Sequence, residues 1–549
     1  MKIEKILIRN FRPIGEQGLE LAFSTSCSTF IGENNVGKSS IFEAIKRILE
    51  PQIVGKQISW DKEDWHAGDQ NRIIKICLEC ILDDNQIEKI IEILDLPLTV
   101  KGFKENFTDK LSYDYEYEFL RKISSYPSSL FKFGELEIIK KGAQVWIGEF
   151  VQATSISETK WYEVIEEIKS QKNKNINQII KEVLDKKKSP SVTARIVFDR
   201  DIFEDILGLL RQSIIMIEEF REKPQKALVE FMTSPNGRDL ASVLFNLKNG
   251  RPQQKVKFEQ IRQRFHRLFP ILELDVLREN NEIKIHIQKA GIESTTFYLG
   301  AGILENLLIL THLIAHYDKV LCIDHPELHL HPHAQRGLGS FIEGTKDGQI
   351  LVITHSPYFV NLNKNSSIIR FVQKDAQTEI IELPHDYFTD DDFFKLEQFL
   401  DIDTKELFFA RKVILVEGET ELGALPIFAA EIGYNFDENG VSVIKVGGKK
   451  TFEFYVKLCK GFKIPHFILA DKDASDILTQ IKSRNPDCKS NTLPADFDDL
   501  LPKELREEAA RFVGKSKPRI GRYVARKMLE KRWEIPEEIK QIIEQVKSL

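Results

Sequence analysis

Cys27-Ser-Thr-Phe-Ile-Gly32-Glu-Asn-Asn-Val-Gly37-Lys38-Ser39-Ser40 is a short apolar run that enters a turn of the form G-x-x-x-x-G-K-S/T. Ile41, Ile45 and Ile48 then follow at helical spacing. Strand, glycine-bearing turn and helix in that order let backbone N–H groups curl around phosphates at a helix N-terminus. In that setting Lys38 reaches the β- and γ-phosphates and the Ser39 hydroxyl ligates Mg²⁺. Gly32, Asn35, Gly37 and Ser40 count among the phosphate-binding positions. The expectation is an α/β domain that binds ATP with Mg²⁺.

Working outward, Ile3, Ile6 and Ile8 give the N-terminus a β-like alternation. Strand-like runs return at 283–288 (IKIHIQ), 319–327 (KVLCIDHPE) and 349–357 (QILVITHSP). The last two are short and wholly apolar until a polar residue ends them, as buried parallel strands do. Asp324 ends the first, where a carboxylate can complete the Mg²⁺ shell, although Asp after a strand is also a common helix cap. His355 ends the second, as a sensor of the γ-phosphate or as a structural residue. Between them and the N-terminal part, 155–265 reads as helical and charged, with a turn-rich break at 234–239 (SPNGRD), and is expected as a helical insertion or dimerisation element.

A second α/β series begins past an Asp- and Phe-rich stretch. Val413-Ile-Leu-Val416-Glu417-Gly418-Glu419-Thr420-Glu421 is an apolar strand that delivers Glu417 into a glycine turn, with Glu421 one helical turn on. Phe467-Ile-Leu-Ala470-Asp471-Lys472-Asp473 ends another strand with two carboxylates. Carboxylates gathered at strand ends suit a hard cation such as Mg²⁺, and a pair of such ions suits phosphodiester cleavage. Taken singly, each acid is equally a helix cap or a solvated loop residue. The expected domains are 1–154 and 266–375 for the ATPase, 155–265 for the insertion, 376–405 for a linker and 406–549 for the second α/β domain.

Composition bounds the rest. At 549 residues the chain exceeds one core, and 42% hydrophobic with 30% charged residues is ordinary for a globular protein. No run is long and apolar enough for a membrane span, and the start resembles no signal peptide, so a cytoplasmic location with no membrane partner is expected. Six cysteines make no disulfide framework, and Cys77 and Cys80 lack the second pair of a zinc site. The net charge of −6 argues against a uniformly basic surface, yet Arg511 to Arg532 carries nine Lys or Arg against one acid, a local +8. That segment is a solvated helix face or a phosphate-binding one.

The head motifs resemble the ABC-ATPase superfamily in the branch that holds SMC, RecF and the OLD (overcoming lysogenisation defect) proteins. Asp324-His-Pro-Glu-Leu-His-Leu-His-Pro332 followed by Val352-Ile-Thr-His355-Ser-Pro is especially OLD-like. The resemblance implies that Leu299-Gly-Ala-Gly302 is the signature motif, with Gly302 touching ATP on a partner head, and hence an ATP-sandwiched homodimer or tetramer. Two departures stand out. The serine usual after the signature leucine is missing, and His325 occupies the place of the water-activating carboxylate, leaving a neutral imidazole or Glu327 to serve as base.

Strand-Glu-Gly-x-x-Glu followed by strand-Asp-x-Asp resembles the Toprim pattern. By that resemblance Glu417, Glu421, Asp471 and Asp473 are metal ligands for Mg²⁺ or Mn²⁺. Asp498, with Asp496 or Asp499 as rivals, is the later acid, and Lys517, with Lys515 as rival, is the charge-stabilising lysine. An ABC head joined to a Toprim (Rossmann-like) domain implies an OLD-type, ATP-gated DNA endonuclease, linked to phage defence, with a helicase-like or retron partner left open. A topoisomerase would need a tyrosine nucleophile on a DNA-gate domain and a primase commonly a zinc module, and neither is placed here. The alternative is an ATP-dependent repair scaffold or clamp without cleavage.

Overall fold

The structure is a computed structural model. It describes residues 1–49, 61–93, 239–279 and 300–549 apart from single positions 346, 376 and 385, with shorter stretches within 99–149, 202–219 and 282–295. Residues 155–201 and 220–238 of the expected helical insertion, which include most of the turn at 234–239, and Leu299 lie outside the described residues. Contacts divide the chain into two compact units, residues 1–30, 34–354 and 371–380, and residues 31–33, 355–370 and 381–549.

The first strands are β1 (Lys2–Arg9), β2 (Leu19–Ala22), β3 (Cys27–Gly32), β4 (Ile74–Ile81), β5 (Lys110–Tyr117), β6 (Ser128–Phe133), β7 (Leu136–Lys141), β8 (Gln144–Glu149) and β9 (Ile214–Ile217). Then come β10 (Leu272–Glu279), β11 (Glu282–Lys289), β12 (Ile292–Thr295), β13 (Val320–Asp324), β14 (Gln349–Ile353), β15 (Ser366–Lys374) and β16 (Gln377–Glu382). An antiparallel sheet runs β2-β1-β4-β5-β6-β7-β8, and a second sheet runs β16-β15-β3-β14-β13-β9. Ile3, Ile6 and Ile8 of β1 all bury one face although the first gap is three residues, because a register shift between Ile3 and Lys5 resets the alternation.

In the second sheet β3, β14, β13 and β9 are parallel neighbours. Every residue of β3 and of β14 is buried, so both faces are covered and the runs are apolar throughout. β9 lies inside the stretch expected to be helical, pairing Ile214–Ile217 with Val320–Ile323. The helices Ile202–Ser213, Leu240–Asn249 and Pro252–Leu268 flank it in sequence. This is the α/β domain expected from the phosphate-binding turn, which leaves β3 inside the parallel part of the sheet.

The four remaining strands, β17 (Lys412–Val416), β18 (Val441–Lys445), β19 (His466–Ala470) and β20 (Lys489–Thr492), form a parallel sheet in the order β18-β17-β19-β20. Val413 and Leu415 face one core while Ile414 and Val416 face another, which is why this strand is apolar at every position. The order places the switch point, where the chain reverses its direction of winding, between β17 and β19. In such sheets ligands collect in the crevice at the carboxyl ends of those two strands.

The expected linker at 376–405 is instead folded. It contains β16 and a helix, Asp390–Phe399, capped by Thr389, whose hydroxyl accepts from Asp392 N–H at 3.2 Å while Asp392 accepts from Thr389 N–H at 2.8 Å. Its aspartates are first-turn acids that suit the helix dipole, and Phe388 and Leu396 are core. Among the described residues no helix is long and apolar enough to cross a membrane.

Candidate functional site

The phosphate-binding turn leaves β3 through Gly32 (φ 144°) and passes Asn35 (φ 62°) and Gly37 (φ 98°) before the helix Lys38–Leu49. Two left-handed residues tighten the loop, and Asn tolerates that conformation better than most. Thr378 donates to the Val36 carbonyl at 2.9 Å, and a Cβ on Gly37 would come within 3.0 Å of both Pro13 and Thr378. Lys38 and Ser40 are buried, whereas Asn35 and Ser39 are exposed, so the Ser39 hydroxyl is open to a ligand.

Asp324 closes β13, separated from β3 by β14 in the parallel sheet. His325 follows in a left-handed conformation (φ 48°), its N–H bonded to the Ile353 carbonyl at 2.9 Å. Its imidazole sits between carboxylates, with Nδ1 3.1 Å from Glu327 and Nε2 3.6 Å from Asp324. The hydrogen bond to Glu327, outweighing burial, raises its pKa and draws it towards the charged form. Both carboxylate contacts run against the neutral imidazole expected as a base. Glu327 is itself committed, with its other oxygen accepting from Thr354 Oγ1 at 2.7 Å.

Gly302 lies in the first turn of the helix Ala301–Ala315. A Cβ there would stand 2.1 Å from the His329 carbonyl oxygen, so close packing within this chain already requires glycine. His355 is exposed just beyond β14.

In the second unit, adjacency of β17 and β19 brings the acids together. Val416 pairs with Leu469, so Glu417 and Asp471 emerge from neighbouring strands at one edge, strands being about 4.8 Å apart. Glu421, in the first turn of the helix Thr420–Glu431, is only 3% exposed, and its carboxylate folds back over Gly418, where a Cβ would meet it at 2.8 Å. Burial is the main cause that pushes Glu421 up to about 7, with the charges of Asp471 and Asp498 adding to it. Glu417 is raised by burial and then by Asp473 and Asp471. Asp471 is raised by burial against the Phe497 N–H bond at 2.9 Å, with Asp496, Asp473 and Asp498 contributing.

These carboxylates destabilise one another's charged forms, and Glu417 Oε2 is buried without a hydrogen-bond partner. Both features fit a divalent cation. Among the described residues no three such side chains converge tightly enough to enclose an ion as they stand. They turn instead to protein groups, Asp473 to Lys449 Nζ at 2.6 Å and Asp498 to Lys517 Nζ at 3.4 Å.

Lys517 therefore meets the cluster through Asp498, and among the described residues its rival Lys515 forms no ion pair. Of the rivals to Asp498, Asp496 reaches Asp471 through its charge, while Asp499 pairs with Arg506 at 3.4 Å. Lys449 was not anticipated. Its signal was the glycine pair Gly447-Gly448 that ends the β18 run, both at positive φ, which turns the chain back towards the acids.

A family model described as an AAA ATPase domain matches residues 1–360, and one described as the Toprim domain of overcoming lysogenization defect-like proteins matches 408–473. An OLD nuclease of Thermus scotoductus is 26% identical over 50% of this chain and 49% of its own length. Endonuclease GajA of Bacillus cereus is 22% identical over 86% of this chain and 75% of its own. An uncharacterised protein of Methanocaldococcus jannaschii is 26% identical over 43% of this chain and 30% of its own. Thus the chain spans half or less of the length of two of these relatives. The family model covering the first 360 residues, with the Toprim match placed on the strand that carries Glu417 and the strand that carries Asp471, makes this chain a member of the AAA ATPase domain family, in its OLD-like branch with a Toprim domain.

Proposed function

We propose that this chain is an ATP-gated, Mg²⁺-dependent DNA endonuclease whose cutting centre is the carboxylate cluster between β17 and β19. The observation that carries this reading is the buried, unpartnered Oε2 of Glu417 among acids that raise one another's pKa values. Glu417, Glu421, Asp471 and Asp473, with Asp498, would hold Mg²⁺ or Mn²⁺, which when bound supplies Lewis acidity towards a phosphodiester oxygen. Lys517 opposes the negative charge that builds on the phosphate during cleavage. Lys449 holds Asp473 in place by donating to its carboxylate at 2.6 Å.

In the head, Lys38 and the loop N–H groups bind the phosphates of ATP, Ser39 and Asp324 hold its Mg²⁺, and His355 senses the γ-phosphate. With Glu327 engaged on both oxygens and His325 drawn towards its charged form, the position beside Asp324 offers a poor general base. ATP then acts as a slowly hydrolysed switch. A homodimer or tetramer and a part in phage defence complete the reading on the family resemblance, and a cytoplasmic location carries over from the sequence expectation.

The test is supercoiled plasmid with Mg²⁺ or Mn²⁺, with and without ATP, beside an Asp471→Ala/Asp473→Ala variant. Nicked or linear DNA from the unmutated protein alone is the expected result, and the ATP lanes give the sign of the gate. Intact plasmid in every lane, with ATP still bound, favours a clamp.

A further inference from the structure

The basic segment from Arg511 to Arg532 has an ordered shape. The helix Lys517–Glu530 buries Gly521, Val524, Ala525 and Met528 and turns Arg519, Arg522 and Arg526 outward, three exposed arginines at i, i+3 and i+7 on one stripe. None of the three has an ion-pair partner among the described residues. Tyr523 shares that stripe, one turn from Arg519. Phe512, near the end of the helix Lys503–Val513, lies on it with ring centroids 6.0 Å apart and planes 17° apart. Phe512 is 73% exposed, while Tyr523 is held by its hydroxyl donating to Glu508 at 2.7 Å and by Lys527 over its ring at 5.9 Å.

A lone exposed Phe is unremarkable on a protein surface. A Phe laid flat on an anchored Tyr, bordered by unpaired arginines, is different, because it offers an aromatic face to a flat π-system that arrives with phosphates attached. The same helix begins at Lys517, 3.4 Å from Asp498, and is locked to the Glu421 helix by close backbone contact at Gly423 and Gly521. Tyr523 is six residues along from Lys517, or about 9 Å of helix axis. At about 3.4 Å per nucleotide in one strand, that is two to three nucleotides.

We propose that Phe512 and Tyr523 are a stacking platform for an unpaired base, and that Arg519, Arg522 and Arg526 track the backbone of that strand, so that this chain prefers DNA with a single-stranded segment beside the cut. Stacking needs a base freed from its duplex partner, and every base presents a π-face, so the preference is for structure and not for sequence. The position relative to the cut rests on the nuclease reading, whereas the binding preference does not.

The experiment is fluorescence anisotropy of the full chain in EDTA, with a labelled blunt duplex and the same duplex carrying a short single-stranded tail. The native chain is expected to bind the tailed DNA more tightly. Phe512→Ala should lose roughly fivefold to a hundredfold on the tailed DNA alone, while Phe512→Trp keeps the preference. Reversing Arg519, Arg522 and Arg526 to Glu should weaken both DNAs and flatten the salt dependence. Phe512→Ala binding tailed DNA like the native chain, or losing both DNAs equally, overturns the platform. So does a Phe512→Ala variant whose only change is a smaller assembly in sedimentation, which would make Phe512 a contact between copies. Plasmid left intact by a chain that still prefers tailed DNA would refute the nuclease and leave the platform standing.

Discussion

Gly423→Ala perturbs the joint on which the proposed cutting centre depends. A Cβ at Gly423 would lie 2.1 Å from the Pro518 carbonyl oxygen and 2.9 Å from the Arg522 nitrogen, about 1.3 Å short of ordinary contact at 3.4 Å. Gly521 mirrors it from the other side, its Cβ position 2.3 Å from the Thr420 carbonyl oxygen. Both obstacles are backbone, so no side chain can swing away and the two helices must separate. Overpacking of this kind costs about 3 kcal/mol at the upper end. The better helix propensity of Ala returns about 1, leaving a net loss of about 2 kcal/mol. For a unit of this size that is a fall of about 4–8 °C in the transition assigned to the C-terminal unit, read by scanning calorimetry. Lys517 moves with its helix, and a displacement of about 1 Å can lower cleavage by about 10²-fold in the plasmid assay. Gly208, in the helix Ile202–Ser213 with nothing within 4 Å of its Cβ position, is the control, and Gly208→Ala should stabilise by about 0.5–1 kcal/mol. An unchanged or raised melting temperature for Gly423→Ala, with full cleavage, would show that the helices do not need this approach.

Other expectations concern titration and the head. Burial pushes Glu382 up to about 7 from 4.5, so its ionisation costs nothing below the ordinary value, a growing amount between the two, and the full amount above about 7. Glu382→Gln should therefore gain stability relative to the native chain between pH 5 and 8, on the order of 1–2 kcal/mol after discounting for partial exposure, and equal denaturation midpoints at both pH values would contradict this. His312 is pushed down to about 3 by burial, helped by His316 and Lys319, so it stabilises fully above about 6.5 and loses about 1.4 kcal/mol per pH unit as pH falls below that. His312→Leu should flatten the acid limb of the stability curve, with His316 still titrating. In the head, His325→Ala should leave ATP turnover within a few-fold while His325→Glu raises it by about 10² or more. Loss of all turnover in His325→Ala would instead make the histidine a working base.

What the sequence by itself determined is what lies within a few residues. A strand ending in a glycine turn and entering a helix is encoded locally, so the phosphate loop from Gly32 to Ser40, the strand ends at Asp324, Glu417 and Asp471, and the α/β class of both parts were legible. Folded packing was not. The stretch 376–405 looked like a linker because its aspartates and phenylalanines suggest no period, and only its Thr389 cap and its core contacts make it a helix. The cluster exists because β19 pairs with β17 across more than fifty residues, Lys449 reaches Asp473 across 24, and the Phe512–Tyr523 stack needs two successive helices to fold together. Glu327 takes up the His325 imidazole from two residues away, but the Thr354 hydroxyl that occupies its other oxygen is brought there by the pairing of β13 with β14. Local steric and hydrogen-bonding preferences choose turns and strand ends, whereas long-range pairing and burial choose which charges meet and how strongly they shift.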